Sequence, residues 1–299
     1  MSKKEIMASQ RAYVFMYEYC TINVKNGTVF ACHSDSTIEN IPIENTMFIM
    51  LGSGTSITQN AVKELSQANV PFCFVGSKNG AFHAGNIIPI EPTKQKVSMA
   101  YAKSFMSKIL DDNTQIELSK QLLFEQFKNI QYIWNDEEAF ADYALYYDED
   151  LHMIKKSIFA KNKITELLSY EGVKKKEINT LIANTFNVKF TRIKENPKDK
   201  INQFINVGNS IMYGYAQTVL WWLGIPPQFS LLHGETNRGA LIYDAADLWK
   251  TAIITPLAFV ANYKDLSLKD FTSNVNELCS NDKYKIMKKM FKFMKGLCE

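Results

Sequence analysis

The chain has 299 residues, 46% of them hydrophobic, a net charge of +3 and five scattered cysteines. That is enough apolar content for one large domain or two ordinary ones, and the total charge is too balanced to name a polyanionic partner by itself. An odd cysteine count without a Cys-x-x-Cys pair argues against a disulfide framework or structural zinc, no run approaches the roughly 18 apolar residues of a membrane span, and the opening Met-Ser-Lys-Lys-Glu has no apolar secretion region; a reduced, cytoplasmic protein is expected.

The first ninety residues read as strands. Tyr13 to Tyr17, Cys20 to Val24 and Thr28 to Cys32 are short β-branched and aromatic runs, with Asn26-Gly27 as a type I′ hairpin signal. Met47 to Leu51 and Pro71 to Val75 are continuous apolar runs. Between them Ser56-Ile57-Thr58-Gln59 matches a capping box, which predicts a helix through about Gln67. Asn79-Gly80 is a second hairpin signal, with Ala81 to His83 returning. Gly52-Ser53-Gly54-Thr55-Ser56 lacks Gly-x4-Gly-Lys-Ser/Thr and reads as a strand-to-helix turn rather than a phosphate cradle.

Near Glu91-Pro92 the composition changes. Helical spacing dominates Ala100 to Leu110, Gln115 to Trp134, Asp150 to Lys161 and Asn162 to Phe186. After a charged loop, Arg192 to Lys200, an apolar helix runs from about Ile201 to Trp222 and ends at Gly224 before Pro226-Pro227. Two or three more helices follow. The expected fold class is α+β, a small N-terminal β-rich domain (1–94) followed by a larger all-α domain (95–299).

Residues 171–299 carry 18 basic and 12 acidic side chains, so the positive excess lies in the second half of the helical part. There, Leu232-His233-Gly234-Glu235-Thr236-Asn237-Arg238-Gly239 leads into Tyr243-Asp244-Ala245-Ala246-Asp247-Leu248-Trp249-Lys250. Asp244 and Asp247 stand three apart and share one face of a helix. With His233, and with Glu235 as a substitute ligand, they have the chemistry to hold a divalent cation. The spacing equally fits a satisfied core histidine, a first-turn acid and a solvated aspartate. Arg238 and Lys250 fit phosphate binding or simple neutralisation of the acids. Lys174-Lys175-Lys176 reads as one solvated helix face, with Lys175 paired to Glu171. Six lysines from Lys283 to Lys295 interleave with apolar residues, giving a basic amphipathic helix that suits DNA, a membrane surface, a partner or plain packing. Tyr17, Tyr19, Tyr213 and Tyr215 are base-stacking or core aromatics.

Taken together, these segments resemble the CRISPR-associated adaptation integrases, the number-one protein of those loci. The likeness runs through Ile41-Pro42-Ile43-Glu44-Asn45, Leu51 to Thr58, Ile201 to Tyr215 and Pro226 to Lys250. Leu-Leu-His-Gly-Glu-Thr-Asn-Arg-Gly and Tyr-Asp-Ala-Ala-Asp-Leu look most like the type I, subtype F branch. The resemblance supplies a ligand that spacing does not. Leu168-Ser169-Tyr170-Glu171-Gly172-Val173 matches the family's glutamate, which implies Glu171, His233 and Asp247 as metal ligands and Asp244 as an assisting acid. It puts Tyr19 where some members stack a tyrosine beside a DNA end, and leaves Arg238, Lys250 and Tyr213 as further DNA-binding candidates. Trp249-Lys250-Thr251 departs from the Glu and Arg of many branches, so family roles there do not transfer.

The function implied is integration of short foreign DNA into a CRISPR array by attack of a 3′-hydroxyl on a phosphodiester, with Mn²⁺ or Mg²⁺. A metal-dependent endonuclease on branched or single-stranded DNA and a non-catalytic DNA-binding scaffold are the alternatives. The implied partners are prespacer and repeat DNA, a second copy in a homodimer formed largely through the β domains, and the small second adaptation protein. Two such dimers flank a dimer of that protein, which in the subtype F branch is fused to a helicase-nuclease.

Overall fold

The computed structural model describes residues 11, 13–76, 80–82, 99–234 and 239–299. It divides into two compact units, 1–98 and 99–299, each with its own core.

Among the described residues the first unit holds two four-stranded sheets. β1 (Tyr13–Tyr17), β5 (Thr46–Leu51) and β7 (Phe72–Gly76) run parallel, with β5 between the other two, and β8 (Gly80–Phe82) closes the sheet antiparallel to β7. β5 is buried at every position, as its uninterrupted Met-Phe-Ile-Met-Leu run requires of a strand covered on both faces. The second sheet has the order β4 (Ile38–Asn40), β3 (Thr28–His33), β2 (Cys20–Lys25), β6 (Ser56–Ile57). Asn26 and Gly27 both take positive φ, 52° and 74°, which is the type I′ geometry expected of the β2–β3 turn. Ile22, Val29, Ala31, Ile49 and Leu51 meet Ala61 and Leu65 of α1 (Gln59–Gln67) in one core.

The helix start differs from the capping-box expectation. Ser56-Ile57 instead pairs parallel to Thr21-Ile22 as β6, and Thr58 caps α1 by accepting from the Ala61 N–H. The box pattern fails because its first two residues can satisfy their backbone in a sheet ladder two residues before the helix begins. Strands β4 and β6 are too short and too polar to show a period. His83, assigned to the returning strand, and Asn79 lie outside the described residues.

The second unit is helical: α2 (Ala100–Ile109), α3 (Asp112–Trp134), α4 (Leu151–Phe159), α5 (Ile164–Thr185), α6 (Lys200–Leu223), α7 (Ala240–Trp249), α8 (Thr255–Tyr263), α9 (Leu268–Ser280) and α10 (Ile286–Cys298). α6 is apolar around most of its circumference because neighbours cover it, and Gly224 ends it in the left-handed region at φ 67°. α10 buries Ile286, Met287, Met290, Met294 and Leu297, so the lysine-rich terminus is a packed helix. Lys283 pairs with Asp136 and Glu138, Lys289 lies 3.4 Å from the Tyr132 ring centre, and Lys295 pairs with Glu299.

A π-helical turn, Lys250–Ile254, joins α7 to α8. Its cause can be read locally. Pro256 has no N–H to donate to the Ala252 carbonyl four residues back, and its ring would crowd that oxygen. Widening the turn relieves the clash. α3 then supplies donors: Trp134 Nε1 to Ala252 O at 2.8 Å and Asn129 Nδ2 to Leu248 O at 2.9 Å.

Gly208 of α6 faces this turn. A Cβ there would fall on Ile254 Cγ2 and 3.1 Å from Phe271 Cζ. Gly208→Ala should therefore lower stability by about 1–2 kcal/mol, overpacking outweighing the gain in helix propensity. Gly172→Ala on α5, with open space around the new methyl, should raise it by about 1 kcal/mol. Urea denaturation midpoints of the two variants check both signs.

Candidate metal centre

Three separate elements bring the titratable groups together. α5 carries Glu171, the segment after α6 carries His233, and α7 carries Asp244 and Asp247 on one face. Ligand atoms of Glu171, His233 and Asp247 all lie within 4.8 Å of one another, the arrangement a single metal ion needs. Glu171, Asp244 and Asp247 are buried, Asp244 wholly and Asp247 to within 2%. Burial corrects the solvated reading of Asp247, and the first-turn reading of Asp244 is corrected by its place beyond the first turn of α7.

The loop before His233 is fixed from both sides. Leu231 and Leu232 are wholly buried. Ser119 Oγ of α3 donates to the Leu231 carbonyl at 2.9 Å, and Gln115 Nε2 donates to the Ser230 and Leu231 carbonyls at 3.2 Å each. On the opposite side Asp244 Oδ2 accepts from the Leu231 N–H at 2.7 Å, the Leu232 N–H at 3.2 Å and the Ser230 hydroxyl at 3.4 Å. Asp244 Oδ1 lies 2.6 Å from His233 Nδ1. An ionised carboxylate only accepts, so Nδ1 donates to Asp244, and Nε2 is the nitrogen left to ligate a metal ion when the ring is neutral. Nε2 faces Asp247 Oδ2 at 3.4 Å. A histidine oriented by a carboxylate behind it is the usual support of a metal-ligating imidazole.

Two lysines balance the acids. Lys175 Nζ, one turn after Glu171, stands 2.9 Å from Glu171 Oε1 and 3.2 Å from Asp247 Oδ2. Lys250 Nζ pairs with Asp247 Oδ1 and lies 4.9 Å from the Tyr213 ring centre, within 3.4 Å of its hydroxyl. The three-lysine run is therefore not one solvated face. Lys175 turns into the centre, Lys174 binds Glu149 and Glu177, and Lys176 alone is exposed. Spacing showed the Glu171 pair but gave no sign of the contact to Asp247, 72 residues away.

The charges tune one another. Burial works against the Asp247 carboxylate, yet Lys175, Lys250 and His233 hold its pKa well below the ordinary value. Burial also disfavours both ammoniums, and Asp247 above all keeps Lys175 and Lys250 above their usual range. His233 is raised in spite of burial, by Asp244 first and then by Asp247 and Glu171.

A bound cation fits this donor set. Glu171 Oε1 is buried and accepts no hydrogen bond of acceptable direction, although the Lys175 ammonium lies close to it. Such an orphaned acceptor wants a cation with no directional demand. The other site candidates fall as follows. Tyr213 is half-buried against Tyr243 and Lys250. Tyr19 is 66% exposed at φ 52°, its ring lying where a Gly54 Cβ would sit. Glu18 lies likewise over Gly52, so the glycine-rich turn serves close packing of these two side chains. Tyr17 and Tyr215 are buried, which removes them as stacking residues. Glu235 and Arg238 lie outside the described residues.

A β-rich unit followed by a helical unit with a buried Glu-His-Asp centre defines a candidate metal-dependent enzyme of α+β class. The model of the CRISPR associated protein Cas1 family matches residues 13–292. The chain belongs to that family. A CRISPR-associated endonuclease Cas1 from Pectobacterium atrosepticum is 32% identical over 275 residues, covering 86% of this chain and 84% of the relative. Another from Pseudomonas aeruginosa is 29% identical over 283 residues, covering 90% and 87%. Among solved structures, a Cas1 protein from Thermotoga maritima superposes with a TM-score of 0.74 at 18% identity, over 95% of this chain and 96% of that one. A casposase bound to an integration product shares the fold at a TM-score of 0.72 and 12% identity, over 95% and 90%.

Asp244→Asn should keep the loop's shape but replace an acceptor by a donor facing Leu231 N–H or His233. We expect a loss of roughly 1–3 kcal/mol and a fall in metal affinity of about 10–100-fold, read by urea denaturation and Mn²⁺ titration. The raised His233 pKa has a sign. Its interactions add stability that is complete below the ordinary histidine value and lost as pH rises through the folded one. In chelator-treated protein the stability gap between wild type and His233→Gln should shrink from mildly acidic to alkaline pH, measured by denaturation midpoints.

Proposed function

We propose that the chain is a metal-dependent DNA integrase of CRISPR adaptation, joining short foreign DNA to the array, with Glu171, His233 and Asp247 as ligands. The observation that carries the reading is the convergence of these three side chains, from three elements, in a buried centre of a Cas1-family chain. A divalent cation held there polarises the phosphodiester and favours the ionised form of the attacking hydroxyl. Mixed imidazole and carboxylate donors suit Mn²⁺ or Mg²⁺, the imidazole leaning toward Mn²⁺.

The chain's own residues do the rest. Asp244 fixes the His233 ring through Nδ1. Lys250 and Lys175 bring positive charge to the place where a phosphate must approach, and Lys250 is steadied by Tyr213. In the reaction a 3′-oxygen of the incoming fragment forms a bond to phosphorus. The bond from phosphorus to the 3′-oxygen at the repeat boundary breaks, and that oxygen leaves with a proton. One phosphodiester is made for each one broken, so no external energy source is needed. Arg238, Tyr19 and the exposed lysines of α10 are further candidates for DNA contact, each on its own part of the chain, and such binding should weaken steeply with salt. The partners are prespacer and repeat DNA, a second copy of the chain through the β-rich unit, and the small second adaptation protein, with two dimers in the full assembly. The setting is the cytoplasm; no helix among the described residues is long and apolar enough to cross a membrane.

A second reading is an endonuclease on branched or single-stranded DNA, favoured by the relatives' being named endonucleases. The same centre serves it, with water in place of the 3′-hydroxyl.

The test uses supercoiled plasmid carrying a repeat array, a short duplex with 3′-hydroxyl ends, Mn²⁺ and the partner protein. Fragment joined to plasmid supports the integrase, cleavage without joining supports the nuclease, and binding alone leaves a scaffold. Glu171→Ala, His233→Ala and Asp247→Ala should each lower joining at least about a hundredfold, and the His233→Ala/Asp247→Ala pair should be no worse than either alone, because the ligands act as a unit. Undiminished joining in Asp247→Ala would sink the ligand assignment.

A further inference from the structure

Lys175 occupies a position that the proposed function leaves unexplained. Its ammonium stands 2.9 Å from Glu171 and 3.2 Å from Asp247, two of the three residues whose ligand atoms converge. A cation bound by all three would have to take the lone pairs that this ammonium faces. Two positive charges cannot share them in a buried site without strong repulsion.

The two lysines of the centre are not equivalent. Lys250 meets the other oxygen of Asp247, lies against the Tyr213 ring and hydroxyl, and its side chain is only 15% exposed. It can stay where it is beside a bound cation. Lys175 contacts the two carboxylates from a side chain that is 33% exposed. It can leave toward solvent by rotating a flexible four-carbon stem.

We propose that Lys175 is a displaceable internal counter-ion that couples metal binding at Glu171, His233 and Asp247 to binding of DNA phosphate, an inference that rests on the metal reading above. Without metal it satisfies the buried carboxylates. When the cation enters, the ammonium swings outward and needs a new anion. A phosphate of DNA arriving at the centre supplies it. Metal and DNA therefore bind cooperatively, and the coupling is reciprocal by thermodynamic necessity. The centre fills readily only when DNA is present, which limits stray hydrolysis by metal-loaded protein alone.

The experiment titrates Mn²⁺ alone into the full chain, with and without short duplex DNA, and reads free Mn²⁺ by electron paramagnetic resonance. Wild type, Lys175→Met, Lys175→Gln and Asp247→Ala are compared. Without DNA, both Lys175 variants should bind Mn²⁺ about tenfold more tightly than wild type. DNA should tighten Mn²⁺ binding in wild type and much less in the variants. Equal or weaker Mn²⁺ affinity in the variants, or the same tightening by DNA in all, overturns the inference. If neither variant folds, the wild-type arm still decides, since no tightening by DNA overturns it too. Wild type that binds Mn²⁺ no better than Asp247→Ala defeats the metal reading, and this inference with it. Binding that is lost in Asp247→Ala but untouched by the Lys175 substitutions defeats the lysine alone.

Discussion

Two carboxylates buried three residues apart on one face of an apolar helix are the constraint around which the helical unit is arranged. An isolated carboxylate in such surroundings is costly by several kcal/mol, and each must find donors or a cation. Asp244 and Asp247 meet that demand in opposite ways. Asp244 is filled by protein: two backbone N–H groups, a serine hydroxyl and the His233 ring. It is a structural anion, and the loop bearing His233 is shaped around it. Asp247 meets ammoniums and an imidazole edge. Charges in that kind of company exchange partners more easily than a carboxylate locked by backbone donors.

The precision of this arrangement comes from the helix that carries it. α7 does not continue regularly past Trp249. The π turn forced by Pro256 begins at Lys250, so the backbone changes pitch at the lysine that pairs with Asp247. α3 is the buttress on which both features rest. Its Ser119 and Gln115 hold the carbonyls before His233, while its Asn129 and Trp134 hold the Leu248 and Ala252 carbonyls of the α7 and π-turn segment. One long helix thus sets the imidazole and the aspartate from a common frame. A site built on such elements is positioned more closely than one built on free loops.

Much of this was legible in the chain, and the limits have physical causes. The strands β1, β2, β3, β5 and β7 and the long helices follow from hydrophobic period and turn residues, which are local properties. The shared face of Asp244 and Asp247 follows from helical pitch. Glu171 does not, since nothing in its neighbourhood distinguishes it from any other first acid of an i,i+4 pair. Only the resemblance singled it out. The different fates of the two aspartates were equally hidden, because they depend on Leu231, Leu232 and two lysines brought in by tertiary packing. The lysine run misled for the same reason: Lys174, Lys175 and Lys176 look alike in sequence, yet Lys174 and Lys175 turn to acids on or beyond their own helix. The cap of α1 was misplaced by two residues because a β ladder competed with the cap for Ser56 and Ile57.

The balance of charge in the centre bears on what it can accept. Three carboxylates face two ammoniums and one imidazole that neighbouring acids push toward its charged form. With that imidazole protonated, three positive charges match the three carboxylates. A divalent ion requires the imidazole as a neutral ligand and, counted with both lysines still in place, gives one positive charge in excess, which makes Lys175 the charge to leave. A phosphodiester carries one negative charge, so a single DNA phosphate matches the displaced ammonium. The centre is therefore balanced in two states, one filled by its own lysines, the other by a metal ion with Lys175 moved out onto a phosphate. The intermediate state, metal without phosphate, leaves the Lys175 ammonium without the two carboxylates it otherwise pairs with. That imbalance, rather than any single contact, is the physical reason for metal and DNA to favour each other here.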